Sequence, residues 1–478
     1  MDILIALWPL TLMCPVVMAL PLVSGCAGLT LDEAGQPQIR PWCKDARYWQ
    51  YRGRPALLIG ASNEDNPFNH PRLPDGEPLE AHLDRLKAAG GNYVRNTMSS
   101  RDAGNLWPFA RNGEGRYDLM QFDPAYWQRY EDFLKLTAAR SIIVQIEVWD
   151  RFDYAREPWQ DNPYNPQNNI NYTAEQGGLA TEYPDHPGGN ANPFFRAIPQ
   201  LEGLELVHGI QKAHVRKLME VSLRYDHVLY TISNETRADR EWSDFWARFL
   251  RDEAQRAGKD IHITEMWDAW EMDDPMHRAT FDHPEPYSFI DISQNSHQRG
   301  QAQWDKLQWV RRYVADPPRP VNSVKMYGGK HGGGPEEGQH KLWRNVLGGT
   351  ASARYHRPGG GMGLNDVTEA HLRSMSMALE KVDIFAMEPA NDLLSDRADD
   401  GAYLAAAPGR DYLLYFPRGG SVTVDITGHP GHYKLHWLNV LESTWGRAST
   451  VEGDSQVQLE CPGKAPWAVV ITSSDAGR

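Results

Sequence analysis

The chain has 478 residues, of which 41% are hydrophobic, so it is long enough for one large domain with a sizeable core and a smaller second domain. Its net charge of −14 argues against nucleic acid or an anionic membrane surface as a partner, because both attract basic proteins. The 17 Trp and 20 Tyr residues leave two interpretations open: a core rich in aromatic rings, or flat platforms for ligands.

Residues 1–25 are apolar and lead into Val23-Ser24-Gly25-Cys26. This start resembles a bacterial lipoprotein signal peptide, with Cys26 as the residue that accepts the lipid. The resemblance implies an exported protein of the periplasm, cell surface or exterior, touching a membrane only through that anchor. No Lys or Arg precedes the apolar run, however, so the charged start of a signal peptide is missing. A single transmembrane anchor is the alternative, although three prolines interrupt the run.

Two cysteines, Cys43 and Cys461, lie near the two ends of the chain that follows Cys26. They would either pair in an oxidising compartment or remain two buried thiols. The sequence contains no CxxC and no HExxH pattern, so we predict no metal site of these kinds.

Eight apolar runs of strand length follow one another, and helical repeats separate several of them. Most of the runs are too continuously apolar for half-exposed strands, which is typical of strands covered on both faces. The pattern predicts a (β/α)₈ TIM barrel over residues 45–395, with its active site at the carboxyl ends of the strands. The predicted strands are 56–62, 93–98, 142–149, 228–233, 261–267, 288–294, 321–327 and 351–355. The helical repeats begin at Leu79, Tyr126 and Trp242.

Two further regions depart from this alternation. Residues 150–195 form an unusually long connection rich in Asn, Pro, Gly and Tyr, for which we expect a role in covering the substrate. Residues 396–478 contain short β-rich segments separated by Gly and Pro turns, which predicts a C-terminal antiparallel β-sandwich.

Several motifs resemble a known group of enzymes. Residues 90–95 (GGNYVR) and Asn234-Glu235 resemble the second and fourth strand endings of the glycosidase barrels that include cellulases and β-galactosidases. From about residue 45 to the end, the chain resembles bacterial glycosidases related to the apiosidase-like barrels (DUF4038 type), which carry a C-terminal sandwich called a collagen-binding domain. The motifs are TMSSRD, ISNET, TEMWD, DISQN, VKMYGG and YHRP. Nothing in the residues themselves supports collagen binding.

The resemblance implies that Glu235 is the general acid/base of glycoside cleavage and that Asn234 contacts a sugar hydroxyl. Glycoside cleavage needs two carboxyl groups, one of which protonates the leaving oxygen. Partial burial at a strand end would raise the pKa of Glu235 and keep that proton available. The alternative is that Glu235 caps the following helix or pairs with Arg237 or Arg240.

The seventh strand departs from the family pattern. Lys325 stands where the family has its nucleophilic Glu, and a lysine cannot take that role in the usual way. We therefore expect Glu265, at the end of the fifth strand, to be the second carboxylate. Adjacent strands are about 4.8 Å apart, so the two carboxyl groups would meet within roughly 5 to 8 Å. The alternative for Glu265 is a salt bridge in the barrel rim.

Other polar and aromatic side chains at the strand ends are candidate sugar contacts, because rings stack on sugar faces while amide, imidazole and guanidinium groups bind hydroxyls or carboxylates. The candidates are Arg95, Asn96, Trp149, Asn234, Trp267, Asn295, His297, Lys325, Tyr327, His356 and Arg357. The cations among them would tolerate an acidic sugar.

The sequence thus predicts a glycoside hydrolase with a carbohydrate substrate and no need of a metal or organic cofactor. The alternative is a non-catalytic carbohydrate-binding or cell-surface protein on a glycosidase fold, which Lys325 favours. The two are distinguished by whether Glu235 and Glu265 point into one cleft.

Overall fold

The computed structural model describes residues 37–70, 76–189 and 192–474. The predicted signal sequence and Cys26 lie outside these residues. Within the described part of the chain, no helix is long and apolar enough to cross a membrane.

Eight parallel strands form a nearly closed barrel. Strands that follow one another in the chain are neighbours, except the fifth and sixth, and the first strand also pairs with the eighth. Each predicted apolar run overlaps one of these strands, which confirms the predicted barrel. The strands are β1 (Leu58–Ala61), β2 (Tyr93–Thr97), β3 (Ile143–Asp150), β4 (Val228–Asn234), β5 (Ile263–Thr264), β6 (Ile290–Asp291), β7 (Val321–Met326) and β8 (Ser352–Tyr355).

A helix follows each barrel strand, and the three helical repeats seen in the sequence lie in the first, second and fourth of them. Local signals fix the start of the second: the Asp123 side chain accepts hydrogen bonds from the N–H groups of Ala125 and Tyr126, and Pro124 occupies the first helical position. The helices are α1 (Leu79–Ala88), α2 (Pro124–Ala139), α3 (Glu205–Ser222), α4 (Arg240–Arg256), α5 (Arg278–Phe281), α6 (Gly300–Tyr313), α7 (Pro335–Leu347) and α8 (Asp366–Leu379). A hairpin of Phe109–Arg111 and Tyr117–Phe122 precedes α2.

A small sheet of three strands, Arg40–Trp42, Asp45–Tyr51 and Arg54–Ala56, covers the amino-terminal end of the barrel. Trp49 of this sheet is fully buried among residues that begin the barrel strands, such as Leu58 and Ile143. Its indole N–H donates to Asn322 Oδ1 at 3.0 Å. The sheet thus closes one end of the barrel and leaves the opposite end for a site.

The C-terminal part forms two antiparallel sheets that enclose an apolar core. The larger sheet contains β9 (Glu388–Pro389), β11 (Tyr403–Ala407), β12 (Asp411–Phe416), β14 (His432–Asn439), β15 (Thr444–Trp445), β16 (Ser449–Glu452) and β18 (Trp467–Ser473). The smaller sheet contains β10 (Leu394–Ser395), β13 (Ser421–Asp425) and β17 (Gln456–Glu460). The predicted β-sandwich is therefore present after the barrel.

The sandwich packs directly against the barrel. Tyr415 of β12 stacks on Trp343 of α7 with 4.8 Å between the ring centroids, and its hydroxyl lies 2.5 Å from His340 Nδ1. Cys43 and Cys461 are not joined to each other by a disulfide, and both are half-buried, so neither the predicted pairing nor the predicted full burial is found. The two domains are held together by this packing.

Trp49→Ala tests whether the amino-terminal sheet supports the barrel. The substitution leaves a large buried cavity and takes away the indole N–H that donates to Asn322 Oδ1. The free energy of unfolding should therefore fall by about 3–5 kcal/mol. Urea denaturation followed by circular dichroism measures this change. Trp445→Ala, in the partly exposed β15, is the control and should cost less. Equal losses would mean that Trp49 has no special role.

Candidate active site

Two adjoining cavities lie at the carboxyl ends of the barrel strands, with volumes of about 790 and 280 Å³. We call them the larger and the smaller cavity, and together the cleft. Glu235 and Tyr327 line both of them. Both cavities lie at the end of the barrel where the sequence predicts the site.

Glu235 follows β4 directly and has a backbone φ of +48°. This left-handed conformation is uncommon for a residue other than glycine, and such strain is concentrated at functional sites. The side chain is 16% exposed, and its Oε1 accepts hydrogen bonds from Lys325 Nζ at 2.5 Å and from the Tyr327 hydroxyl at 2.6 Å. The carboxylate is therefore hydrogen-bonded to the end of β7, across the barrel mouth.

These contacts fix the charge of Glu235. Burial by itself raises the pKa of the carboxyl group, but the charge and hydrogen bond of Lys325, with help from Tyr327 and Arg151, outweigh it and lower the pKa well below the usual value. The expectation that burial makes Glu235 a proton donor near neutral pH is therefore wrong for this arrangement. Glu235 is a carboxylate.

Lys325 is 1% exposed and belongs to β7. Besides Glu235, its ammonium group donates to Asn234 Oδ1 at 2.7 Å, and the Asn234 amide in turn donates to Asp150 Oδ1 at 3.1 Å. A buried ammonium group is stable only with such partners. The lysine thus neutralises Glu235 from across the barrel mouth.

A second ion-pair cluster centres on Asp65, which follows β1 and lines the smaller cavity. Its carboxylate pairs with Arg95 at 2.6 Å and with Arg357 at 2.7 Å. Burial raises the pKa of Asp65, but the charges of Arg95, His356 and Arg357 lower it well below its usual value. Arg95 also donates to Glu147 Oε1 at 2.6 Å. Arg95 therefore braces the buried carboxylates of Asp65 and Glu147.

Glu265 lines neither cavity, and the structure does not bring it to Glu235 as a facing pair. The side chain is fully buried in the barrel wall. Its oxygens accept hydrogen bonds from the N–H groups of Ser233 and Met266 at 2.8 and 2.9 Å, and lie 2.6 Å from Ser243 Oγ. Burial raises the pKa of Glu265 to about 8. Neither the cleft pair nor the rim salt bridge is formed; Glu265 is a hydrogen-bonded group between β4 and α4.

Four more of the candidates line neither cavity. Trp149 turns outward and packs on Trp246 of α4, with 5.3 Å between the ring centroids, and Trp267 is 3% exposed within the wall. Asn96 accepts a hydrogen bond from Phe68 N at 3.3 Å, and Asn295 donates to Gln303 O at 3.0 Å. Their expected contact with a sugar is therefore not supported, because each side chain is turned into the protein.

The remaining candidates do line the cleft. His297 is in the larger cavity, Tyr327 is in both, and the smaller cavity has Arg95, Asn234, Lys325, His356 and Arg357. Sequence reasoning missed Trp270, which is 48% exposed and stacks on His297 with 4.0 Å between the ring centroids. It lies three positions after Trp267, and only the fold shows which of the two rings is open to solvent.

Asp268 is the further carboxylate of the larger cavity. It pairs with Arg151 at 2.7 Å and with Arg237 at 2.9 Å. All three carboxylates that line the cleft, Asp65, Glu235 and Asp268, are thus ion-paired with Arg or Lys.

The long connection after β3 is ordered over its described residues, with short helices at Arg156–Asp161 and Ala174–Gly177. Its asparagine side chains donate hydrogen bonds to backbone carbonyl groups: Asn162 donates to Asp153 O at 2.8 Å, and Asn165 donates to Trp159 O at 3.0 Å. The connection contributes Phe152 and His186 to the wall of the larger cavity.

The fold is similar to that of solved glycoside hydrolases. A glycoside hydrolase of family 5 from Bacteroides vulgatus has a TM-score of 0.61 and 14% identity, covering 93% of this chain and 96% of its own. Another structure, described as a glycoside hydrolase, has a TM-score of 0.62 and 14% identity, covering 93% and 98%. A family 5 mannosidase from Rhizomucor miehei has a TM-score of 0.51 and 11% identity, covering 72% and 98%. No family model and no curated protein matches the sequence. At these identities the likeness establishes a glycosidase fold.

Glu265→Gln tests the state of the buried carboxyl group, because the amide mimics its protonated form. The folded pKa of about 8 lies above the unfolded value of about 4.3, so folding holds a proton and wild-type stability falls as pH rises between these values. The free energy of unfolding of the variant should therefore rise, relative to that of the wild type, by about 1 kcal/mol per pH unit from pH 5 to 8. Urea denaturation at each pH measures this difference. The exposed Glu442→Gln is the control; a gap that does not change with pH would contradict the raised pKa.

Proposed function

We propose that the cleft binds a carbohydrate chain and that the protein is a glycoside hydrolase in which Glu235 acts as a carboxylate. The observation that carries the proposal is the position of Glu235: it follows β4, lines both cavities, and has an uncommon left-handed backbone conformation. Its ionised state suits a base that activates water or a nucleophile. With these contacts, the ionised Glu235 has no proton to donate to a leaving group.

Asp268 is the carboxyl group we propose as partner of Glu235, because both line the larger cavity. For Asp268 to donate a proton, a bound substrate must loosen its contacts with Arg151 and Arg237. Arg237 can move away readily, since half of its side chain is exposed.

The charges of the cleft favour a substrate with negative groups, such as a uronate or a sulfated sugar. Two of the cations stand further out than the carboxylates with which they pair: the side chains of Arg237 and Arg357 are 50% and 35% exposed, whereas those of Asp268 and Asp65 are 14% and 5% exposed. An arriving glycan would therefore meet guanidinium groups first. We also propose that the protein is exported, which the apolar start of the chain supports.

A non-catalytic carbohydrate-binding protein is the second candidate. The specific observation in its favour is that all three carboxylates lining the cleft are neutralised by Arg or Lys, with Lys325 in the place of the family nucleophile. Such a site would keep the groove and the aromatic surface but lack a free acid. The two candidates share the ligand class and differ in whether a bond is broken.

Product release from a panel of acidic and neutral polysaccharides tests the two candidates. A hydrolase should release sugars, and Glu235→Gln should lower kcat/KM by about 10³-fold or more, since it removes the charged group. Asp268→Asn should also be impaired, whereas Glu265→Gln should retain activity. No product with any substrate, together with measurable glycan binding, would establish the binding protein. Loss of activity in a folded Glu265→Gln would return that residue to the catalytic pair.

Trp270→Ala tests the aromatic surface at the mouth of the larger cavity. Loss of the exposed ring should weaken glycan binding by about three- to tenfold, in line with the energy of a single ring contact. Calorimetry with the preferred glycan measures the change, and Trp270→Phe should recover part of it. Trp445→Ala, in the sandwich, should bind as the wild type does. Unchanged affinity in Trp270→Ala would remove the ring from the site.

A further inference from the structure

A second group of polar side chains lies beside the cleft, on the loops that follow β1 and β2. Glu64, His70 and Asp102 each offer one ligand atom, and these atoms lie within 4.8 Å of one another. His70 Nε2 is 3.9 Å from Glu64 Oε2 and 3.9 Å from Asp102 Oδ2. Both distances are too long for a hydrogen bond.

The imidazole of His70 is the member of this group that indicates a bound ligand. His70 is 9% exposed, and its buried Nε2 has no hydrogen-bond partner among the described residues. A buried polar atom without a partner is costly and calls for an explanation, such as an ion. The nitrogen lies 3.9 Å from an oxygen of each carboxylate, so the three ligand atoms are close enough to share one ion.

The backbone that carries the group is held in place. Asn69, next to His70, exchanges two hydrogen bonds of 2.9 Å with the backbone of Leu106, which joins the two loops. The Thr97 N–H donates to Asp65 O at 2.7 Å, beside Glu64. The backbone that carries the three side chains is therefore fixed by hydrogen bonds between the segments that follow β1 and β2.

We propose that Glu64, His70 and Asp102 bind one divalent cation of the Mn²⁺ or Zn²⁺ type. Metal–ligand bonds of about 2.0–2.2 Å place neighbouring ligand atoms about 3–4 Å apart, so a small movement of the side chains suffices. Two carboxylates balance the charge of the ion and suit Mn²⁺, while the imidazole suits Zn²⁺ better than the oxygen-seeking Ca²⁺ or Mg²⁺. The Asp102 side chain is 34% exposed, which leaves a route from solvent and room for water ligands.

The ion would join the two loops directly behind the cleft. Asp65 follows Glu64 and Arg101 precedes Asp102, and both Asp65 and Arg101 line the smaller cavity. A cation that connects the loops would hold these two cleft residues in position. It is a structural ion in this proposal, and it takes no part in bond cleavage.

Titration of tag-free, EDTA-treated protein with Mn²⁺, with free Mn²⁺ measured by electron paramagnetic resonance, tests the site. The wild type should bind about one equivalent, and Mn²⁺ or Zn²⁺ should raise its melting temperature more than Ca²⁺ does. His70→Gln and Asp102→Asn should each weaken binding by at least tenfold. The control is His432→Gln, which removes an exposed histidine that lies 3.1 Å from Glu452, and it should bind as the wild type does.

Three results would overturn the proposal: no bound equivalent in the wild type, unchanged affinity in both variants, or stabilisation by Ca²⁺ alone. Melting temperatures in EDTA show whether the variants fold. Asp102 is the more exposed ligand, so Asp102→Asn keeps the test valid if His70→Gln does not fold.

Discussion

The contact between Lys325 and Glu235 is the interaction on which the site depends. It joins β7 to the residue after β4, two strands that are not neighbours in the barrel sheet, and so it spans the barrel mouth. A lysine that is 1% exposed has to be neutralised, and the carboxylate supplies the charge. The same contact lowers the pKa of Glu235 and sets its chemical role. Removing either partner would take from the other the oppositely charged group to which it is hydrogen-bonded.

Charge pairing continues around the mouth in the same way. Asp65 joins Arg95 of β2 to Arg357 after β8, and Asp268 joins Arg151 after β3 to Arg237 after β4. Each pair links loops that follow different strands. Such links stabilise the mouth as long as both partners are present. They also mean that a ligand must offer charges or hydroxyl groups of its own to replace the contacts it disturbs.

This arrangement separates the fold from the chemistry. A likeness in fold to glycoside hydrolases covers both the barrel and the sandwich, yet catalysis lies in the particular carboxylates and their protonation. Here the strand-four glutamate is present and ionised, while the strand-seven position holds a cation. The larger cavity, of about 790 Å³ and with Trp270 exposed at its edge, is large enough for a sugar in either case.

The sequence by itself determined the eight strands, the helices with strong apolar repeats and the sandwich, because strand and helix periodicity are local properties of the chain. It also placed Glu235 and Lys325 at strand ends. Only the tertiary structure decided which side chains meet: Trp149 and Glu265 turn into the wall, whereas Asp65 and Trp270 face the cleft. The reason is physical: a residue at a strand end can face the barrel mouth or the surrounding helices, and packing across distant segments makes that choice.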